Sequence, residues 1–553
     1  MSWIEKYDVR IPMRDGVRLA CDLRMPDHGG PFPVVLLRTP YNKDIQPGPR
    51  LENLTLFLNA GFAMAIMDVR GKYESEGEFP VLSLEQEGQD GFDTIDWLSR
   101  RPWCNGQVVM TGASYCGYTQ LYAAALRPPA LCGITPGVFG TDGFRNITRR
   151  NGVIQMSLLV WALRYSTGRV AKNPLVDWGA LCQSVPLVDI PARCGLDVPA
   201  FHLWLEHNTD SAFWHHLGHP DAIASIAVPA LLTGGWYDIY SSAVLEAFTW
   251  LRSQPGMRDR IKVVIGPWPH GMGGRETGEL DFGPNAELQV VDLGRQWLER
   301  CVRGNDFTDW PPVRLFVTGV NRWLETDDWP PLPQSHSSLL LAADAPANTR
   351  HGGGRLAATP GALTEDHFDS DPARPVPNRG GNILSLNEQF SAGPFDQQKI
   401  EQRPDLLIYT GPELTAPQAV IGTPRAELWV SSSAPDSDWI VRLCDVYPDG
   451  RSFNLSTGIL RARYREGLDR EVLMQPGSVY RLTVELDSLA HVFLPGHRLR
   501  LEIAGSSFPQ FARNHQTGGD NYSETEFRIA HQTVFHSDSC PSRLELPVYE
   551  GKI

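Results

Sequence analysis

Ser114 lies in Val108-Val109-Met110-Thr111-Gly112-Ala113-Ser114-Tyr115-Cys116-Gly117-Tyr118-Thr119-Gln120, an apolar run that ends in a glycine-flanked serine and turns into a helix-like segment. A serine at such a strand-to-helix corner lifts its hydroxyl above a sheet, where it can act as a nucleophile. Gly112 lets the backbone bend, and Gly117 lets the following helix sit close. The N–H of Tyr115, at the start of that helix, points where an oxyanion would develop. The common nucleophile turn G-x-S-x-G places glycine at position 116, whereas this chain has Cys116 there and glycine one residue later. Taken alone, the stretch fits an ordinary Gly/Ser turn as well.

A serine hydroxyl is a poor nucleophile at neutral pH and needs a base within hydrogen-bond reach, with a third group to orient that base. Two residues stand where both would be useful. Asp238 ends Gly234-Gly235-Trp236-Tyr237-Asp238 and His270 ends Gly266-Pro267-Trp268-Pro269-His270, each directly after an apolar strand-like run. Asp238 would also serve as the N-cap of the helix that follows, and His270 as a structural histidine in a turn. Three placements that agree favour a Ser114, Asp238, His270 triad over these separate readings. A second oxyanion donor is needed besides the Tyr115 amide. The Tyr41 phenol, after Leu36-Leu37, is one candidate, with a rim tyrosine packed beside Pro40 as the equal alternative. Asp68 and Arg70 read as an ion pair that supports the loops, and Cys116 as a buried helix residue rather than a competing nucleophile.

The elements that must position these residues follow a strand–helix rhythm. A hairpin over 7–26 turns at Met13-Arg14-Asp15-Gly16. The runs Pro33-Val34-Val35-Leu36-Leu37 and Phe62-Ala63-Met64-Ala65-Ile66-Met67, the stretch 107–110, Val228 to Thr233 and Lys262-Val263-Val264-Ile265 read as buried parallel strands. Helical stretches at 54–59, 86–98, 121–126, 245–251 and 290–303 alternate with them. Crossovers of this kind imply a parallel sheet covered on both faces, with ligands at the carboxyl ends of the strands. Tyr41, Asp68 to Gly71 and Ser114 then share one edge. The order Ser114, Asp238, His270 is the one found in α/β-hydrolases. The expected architecture is α/β: a catalytic domain from 1–140 and 228–310, a helical, aromatic-rich cap over 141–227, and a β-sandwich or jelly roll over 311–553, where short strands alternate with Gly, Pro, Asp and Asn.

Composition narrows the class of function. The chain has 553 residues, too many for one core. Its net charge of -14 is spread along the sequence without a basic run, which disfavours a nucleic-acid partner. The N-terminal stretch lacks the apolar core of a signal peptide, and no apolar segment is long enough to span a bilayer, so no membrane partner and a cytoplasmic location are expected. Nine cysteines without paired spacing fit reduced thiols better than disulfides or a zinc site.

Five motifs in order, Arg38-Thr39-Pro40-Tyr41, Asp68-Val69-Arg70-Gly71, Gly112-Ala113-Ser114-Tyr115-Cys116-Gly117, Gly234-Gly235-Trp236-Tyr237-Asp238 and Gly266-Pro267-Trp268-Pro269-His270, resemble the cocaine esterase/NonD family of serine hydrolases. Asp445-Val446-Tyr447-Pro448-Asp449-Gly450-Arg451 and Val492-Phe493-Leu494-Pro495-Gly496-His497-Arg498 are similar to that family's jelly roll. The resemblance implies the triad Ser114, Asp238 and His270, an oxyanion hole made by the Tyr41 phenol and the Tyr115 amide, and the pattern G-x-S-Y-x-G, which admits Cys116. It also implies aromatic pocket linings, for which Trp161, Trp236 and Tyr240 are candidates. No cofactor and no metal are expected, the partner being a small-molecule ester or amide; a homodimer is an expectation from the family alone. A carboxylesterase is favoured over an α-amino acid ester hydrolase, a β-lactam or glutaryl acylase, or an Xaa-Pro dipeptidyl peptidase. An amine-binding acylase would need carboxylates such as Asp177, Asp189, Glu206 or Asp210 in its pocket. From another class, a non-catalytic carbohydrate-binding protein remains the alternative.

Overall fold

Alternate residues of the same strands feed two different cores, which is what a parallel sheet covered on both faces requires. In the computed structural model, which describes residues 2–44, 51–387 and 390–553 (backbone only at 51–54), Val35, Val109, Leu231 and Val264 pack with Phe57, Trp297 and Leu298 on one face. Their neighbours Leu36, Val108, Leu232 and Val263 join the main apolar cluster on the other.

The hairpin β1 (Trp3–Pro12) and β2 (Arg18–Pro26) leads into β3 (Phe32–Thr39), α1 (Leu51–Asn59), β4 (Ala63–Asp68), α2 (Leu84–Ser99), β5 (Cys104–Ala113), α3 (Tyr115–Ala125) and β6 (Leu131–Gly137). Helix α4 (Met156–Tyr165) is the longest of the cap. After the cap come β7 (Ala230–Gly235), α5 (Ser241–Ser253), β8 (Ile261–Gly266), α6 (Val290–Arg303), β9 (Val313–Val317) and β10 (Arg322–Thr326). The sheet order is β1-β2-β4-β3-β5-β6-β7-β8-β9-β10, parallel from β4 to β9, as expected of an α/β-hydrolase. Helix α6 shows why these segments fold locally as they do: Gly294, Trp297, Leu298 and Cys301 form its buried stripe, and Gly304 ends it at φ 66.

Two features depart from the sequence reading. Strand β6, not anticipated, sits between β5 and β7 in the middle of the sheet. Strands β9 and β10, read from the sequence as part of the later β region, are hydrogen-bonded to this sheet. Among the described residues, fourteen of the later strands form one hydrogen-bonded assembly, consistent with a jelly roll. The two units share backbone bonds: the Thr318 N–H donates to the Ala490 carbonyl (3.0 Å), and the Val492 N–H donates to the Thr318 carbonyl (2.9 Å).

The cap is fastened by Arg149, fully buried and surrounded by Phe144, Trp214 and Tyr522 rings at 5.1–5.4 Å. Its guanidinium donates to the carbonyls of Gly152 (2.8 Å) and Trp204 (2.5 Å) and to the Tyr522 hydroxyl (3.0 Å), joining cap to β domain. Arg149→Met would leave these acceptors buried and unmatched. The expected loss is about 3 kcal/mol, read as a lower thermal midpoint by circular dichroism; an unchanged midpoint would show that Arg149 fastens nothing.

Candidate active site

Strand β5 runs straight into Ser114, which is held at φ 60 and ψ -128, a left-handed φ that a non-glycine residue adopts at a cost of about 1–3 kcal/mol. Backbone bonds hold it there. The Ser114 N–H donates to the Gly137 carbonyl (2.9 Å), and the Gly117 N–H donates to the Ser114 carbonyl (2.7 Å). A Cβ on Gly112 (φ +133) would stand 2.5 Å from Cys116 Cβ, and one on Gly117 3.1 Å from the Gly137 carbonyl. The bend therefore needs glycine at 112 and 117, not at 116. Cys116 packs with Leu37, Ile66 and Tyr41, and burial pushes its thiol up to about 12, so it stays neutral. Ser114 makes no side-chain cap to α3. Among the described residues, nothing accepts the Tyr115 amide at the head of that helix.

The Tyr41 hydroxyl lies 3.4 Å from Ser114 Oγ and 3.2 Å from Trp161 Nε1. An indole N–H can only donate, so the phenol oxygen is the acceptor there and its own proton stays available to the serine side. Burial raises the phenol well above its ordinary value and keeps it protonated. The ring of Tyr165 meets Tyr41 edge-on at 5.0 Å. Behind the Tyr41 loop, Asp68 accepts the Lys43 (2.8 Å) and Glu74 (3.4 Å) backbone N–H groups; burial pushes its carboxyl up to about 7 against the pull of these bonds. The expected Asp68–Arg70 pair is replaced: Arg70 reaches Asp90 (2.6 Å) on α2 and Asp15 (2.8 Å). A second buried chain runs beneath α3, where the Tyr115 hydroxyl donates to Glu87 (2.8 Å) and accepts from the Leu82 N–H (3.1 Å), while Arg38 pairs with Glu87 (2.9 Å).

Asp238 and His270 follow β7 and β8, on the side of β6 away from β5. One carboxylate oxygen of the fully buried Asp238 lies 2.5 Å from His270 Nδ1, and the other accepts the Tyr240 N–H (2.9 Å). The N-cap weighed for Asp238 is not found: Tyr240 is the N-cap of α5 and takes no side-chain cap, so this second oxygen ties the turn before the helix. The Tyr240 ring lies 6.1 Å from the imidazole. The loop after His270 abuts the serine turn: a Cβ on Gly137 would meet Met272 Cε at 2.9 Å and Ala113 Cβ at 3.4 Å.

Trp161 and Tyr240 are brought to this cluster; Trp236 is not. Its indole donates to the Phe316 carbonyl on β9 (2.7 Å) and its ring packs on Trp329 at 6.0 Å, so it belongs to the sheet rather than the pocket. Tyr165 was not anticipated, although it follows Trp161 by four residues, on the same helical face.

The description "X-Pro dipeptidyl-peptidase (S15 family)" matches residues 15–272, and "X-Pro dipeptidyl-peptidase C-terminal non-catalytic domain" matches 305–545. The chain is 34% identical over 569 residues to the cocaine esterase of Rhodococcus sp. (strain MB1 Bresler), covering 98% of each. It belongs to the cocaine esterase/NonD family of serine hydrolases. Family membership makes it an ester hydrolase. Two solved structures share the esterase's whole architecture: an aminopeptidase from a marine sediment Thaumarchaeota archaeon (TM-score 0.89, 27% identity, 99% and 97% of the two chains) and an α-amino acid ester hydrolase (TM-score 0.87, 27% identity, 99% and 96%).

Trp161→Phe keeps a ring but removes the N–H that donates to the Tyr41 hydroxyl. Turnover of p-nitrophenyl acetate is expected to fall about tenfold, with KM little changed; an unaltered kcat would separate the indole from the chemistry.

Proposed function

We propose that this esterase cleaves small carboxylic esters through an acyl-enzyme on Ser114, with His270 as base, Asp238 as the group that orients it, and the Tyr41 phenol and Tyr115 amide as oxyanion hole. The observation that carries the reading is the Tyr41 hydroxyl held 3.4 Å from a strained Ser114, with its oxygen already occupied by Trp161. With His270 Nδ1 engaged by Asp238, Nε2 is the nitrogen that takes the Ser114 proton. As Oγ attacks the ester carbon, the carbonyl electron pair moves to oxygen and is met by the phenol O–H and the Tyr115 N–H. Collapse breaks the bond to the alcohol oxygen, which leaves with the proton from His270. Water then adds by the same route, and the acid departs from Ser114.

Trp161, Tyr165 and Tyr240 make the surroundings aromatic, which suits an apolar acyl group. An ammonium-bearing substrate is less well supported, because the cap carboxylates are engaged elsewhere or exposed. Asp177 caps Ala180 (3.0 Å), Asp189 is half exposed beside Arg193, Asp210 lies near Arg145 and His215, and Glu206 faces solvent.

A fluorophosphonate probe is expected to label the wild type at Ser114, and Ser114→Ala to lose both labelling and at least about a thousandfold of p-nitrophenyl acetate turnover; turnover within tenfold of wild type would sink the assignment, and an unlabelled wild type would favour a binding protein. Tyr41→Phe should lower kcat roughly a hundredfold, and a near-normal rate would remove the phenol from the site. In a panel of aryl, alkyl and α-amino esters and amides, simple esters should turn over fastest; a preference for α-amino esters would replace this reading.

A further inference from the structure

Lys72 is a buried cation that the proposed chemistry does not use. It follows Arg70-Gly71 in the loop after β4, and its residue is fully buried. Among the described residues no carboxylate pairs with it. Its ammonium instead donates to the carbonyls of Tyr165 (2.6 Å) and Gly168 (2.9 Å) and sits 4.7 Å over the ring of Phe79. Burial alone draws its pKa down to about 8. An unpaired ammonium is costly to bury, so a position that keeps one is held to it by what its N–H groups do.

Those N–H groups hold the end of α4. Tyr165 is the last residue of the helix, where the carbonyls lack helical partners and the negative end of the dipole favours a cation. One turn earlier the same helix carries Trp161, whose indole donates to the Tyr41 hydroxyl. Tyr165 packs on both of them, 5.0 Å from the Tyr41 ring and 5.8 Å from that of Trp161. On its other side, Lys72 rests on Phe79, which lies 5.6 Å from the Tyr115 ring. The strap beyond Phe79 is strained, with Val81 at φ 35 and Leu82 at φ 61, and it is tied to Tyr115 through the Leu82 N–H. A β-branched residue persists in that region only where its surroundings over-determine it.

We infer that Lys72 is a positioning residue for the oxyanion hole, clamping the carboxyl end of cap helix α4 to the hydrolase sheet and so setting the hydrogen bond from Trp161 to Tyr41. The inference rests on the oxyanion role proposed above. It assigns the cap a part in transition-state stabilisation and not only in enclosing the substrate. The cap loop has an independent tie beside the clamp, from the Tyr73 N–H to the Arg169 carbonyl (2.9 Å) and from Arg169 back to the Tyr73 carbonyl (2.8 Å). Loss of the ammonium therefore loosens the end of α4 without undocking the cap.

A double-mutant cycle tests this on the full-length enzyme, with p-nitrophenyl acetate as substrate and melting followed by circular dichroism. Lys72→Met is expected to lower kcat about tenfold with KM within about threefold, and to cost less than about twofold when added to Tyr41→Phe, because the phenol it positions is already gone. Lys72→Gln, which keeps a donor, should lose less than Lys72→Met. The inference is overturned if Lys72→Met leaves kcat unchanged, if its effect is the same factor in the Tyr41→Phe background, or if both Lys72 variants fail to fold, which would assign the residue to the fold alone. Normal turnover in Tyr41→Phe itself would instead overturn the oxyanion reading, a separately visible outcome.

Discussion

A phenol has one proton to give, and the indole of Trp161, a donor only, leaves the proton of Tyr41 unclaimed on its side. Because the indole nitrogen cannot accept, the Tyr41 O–H is not spent on it and stays available to Ser114. Burial keeps that proton in place by disfavouring the phenolate. The surrounding structure serves this geometry from several directions: Asp68 fixes the backbone behind Tyr41, Cys116 and Leu37 pack beneath it, and α4 brings Trp161 and Tyr165 from the cap.

The serine turn obeys a similar economy. Its strain falls on Ser114, while glycine appears only at 112 and 117, where a Cβ would collide with the turn itself or with β6. Position 116 faces the apolar space under Tyr41 and takes a cysteine without loss. Asp238 shows how one residue satisfies two demands, since a carboxylate has two oxygens and the turn before α5 uses only one.

Much of this was legible because buried parallel strands are short apolar runs and the candidate groups sit directly after them. Ser114, Asp238 and His270 follow β5, β7 and β8, so finding the strands located the residues. Strand β6 escaped because packing filled it with small residues: a Cβ on Gly133 would come 2.4 Å from Cys301 Sγ, and one on Gly137 2.7 Å from Thr233 Oγ1. The resulting Leu131-Cys132-Gly133-Ile134-Thr135-Pro136-Gly137 reads as a turn. The run Val313–Val317 announces a strand but not which sheet receives it. Trp236 was visible as an aromatic beside the acid, yet only the fold shows its ring directed at β9. The partners of Arg70 lie on α2, twenty residues away, and in the turn of the first hairpin, so nearness to Asp68 in sequence was misleading.

The backbone bonds between Thr318 and residues 490 and 492 bear on how such a molecule is made and lost. They pass directly from the hydrolase sheet into the β domain, and the main apolar cluster continues with them through Ala490, Val492 and Tyr522. The two units therefore share one interface rather than being strung as beads on a string. Without Ala490, Val492 and Tyr522 that part of the cluster would be uncovered, and exposed apolar surface invites self-association. The β domain, remote from the serine in sequence, thus completes the apolar cluster of the half that holds it.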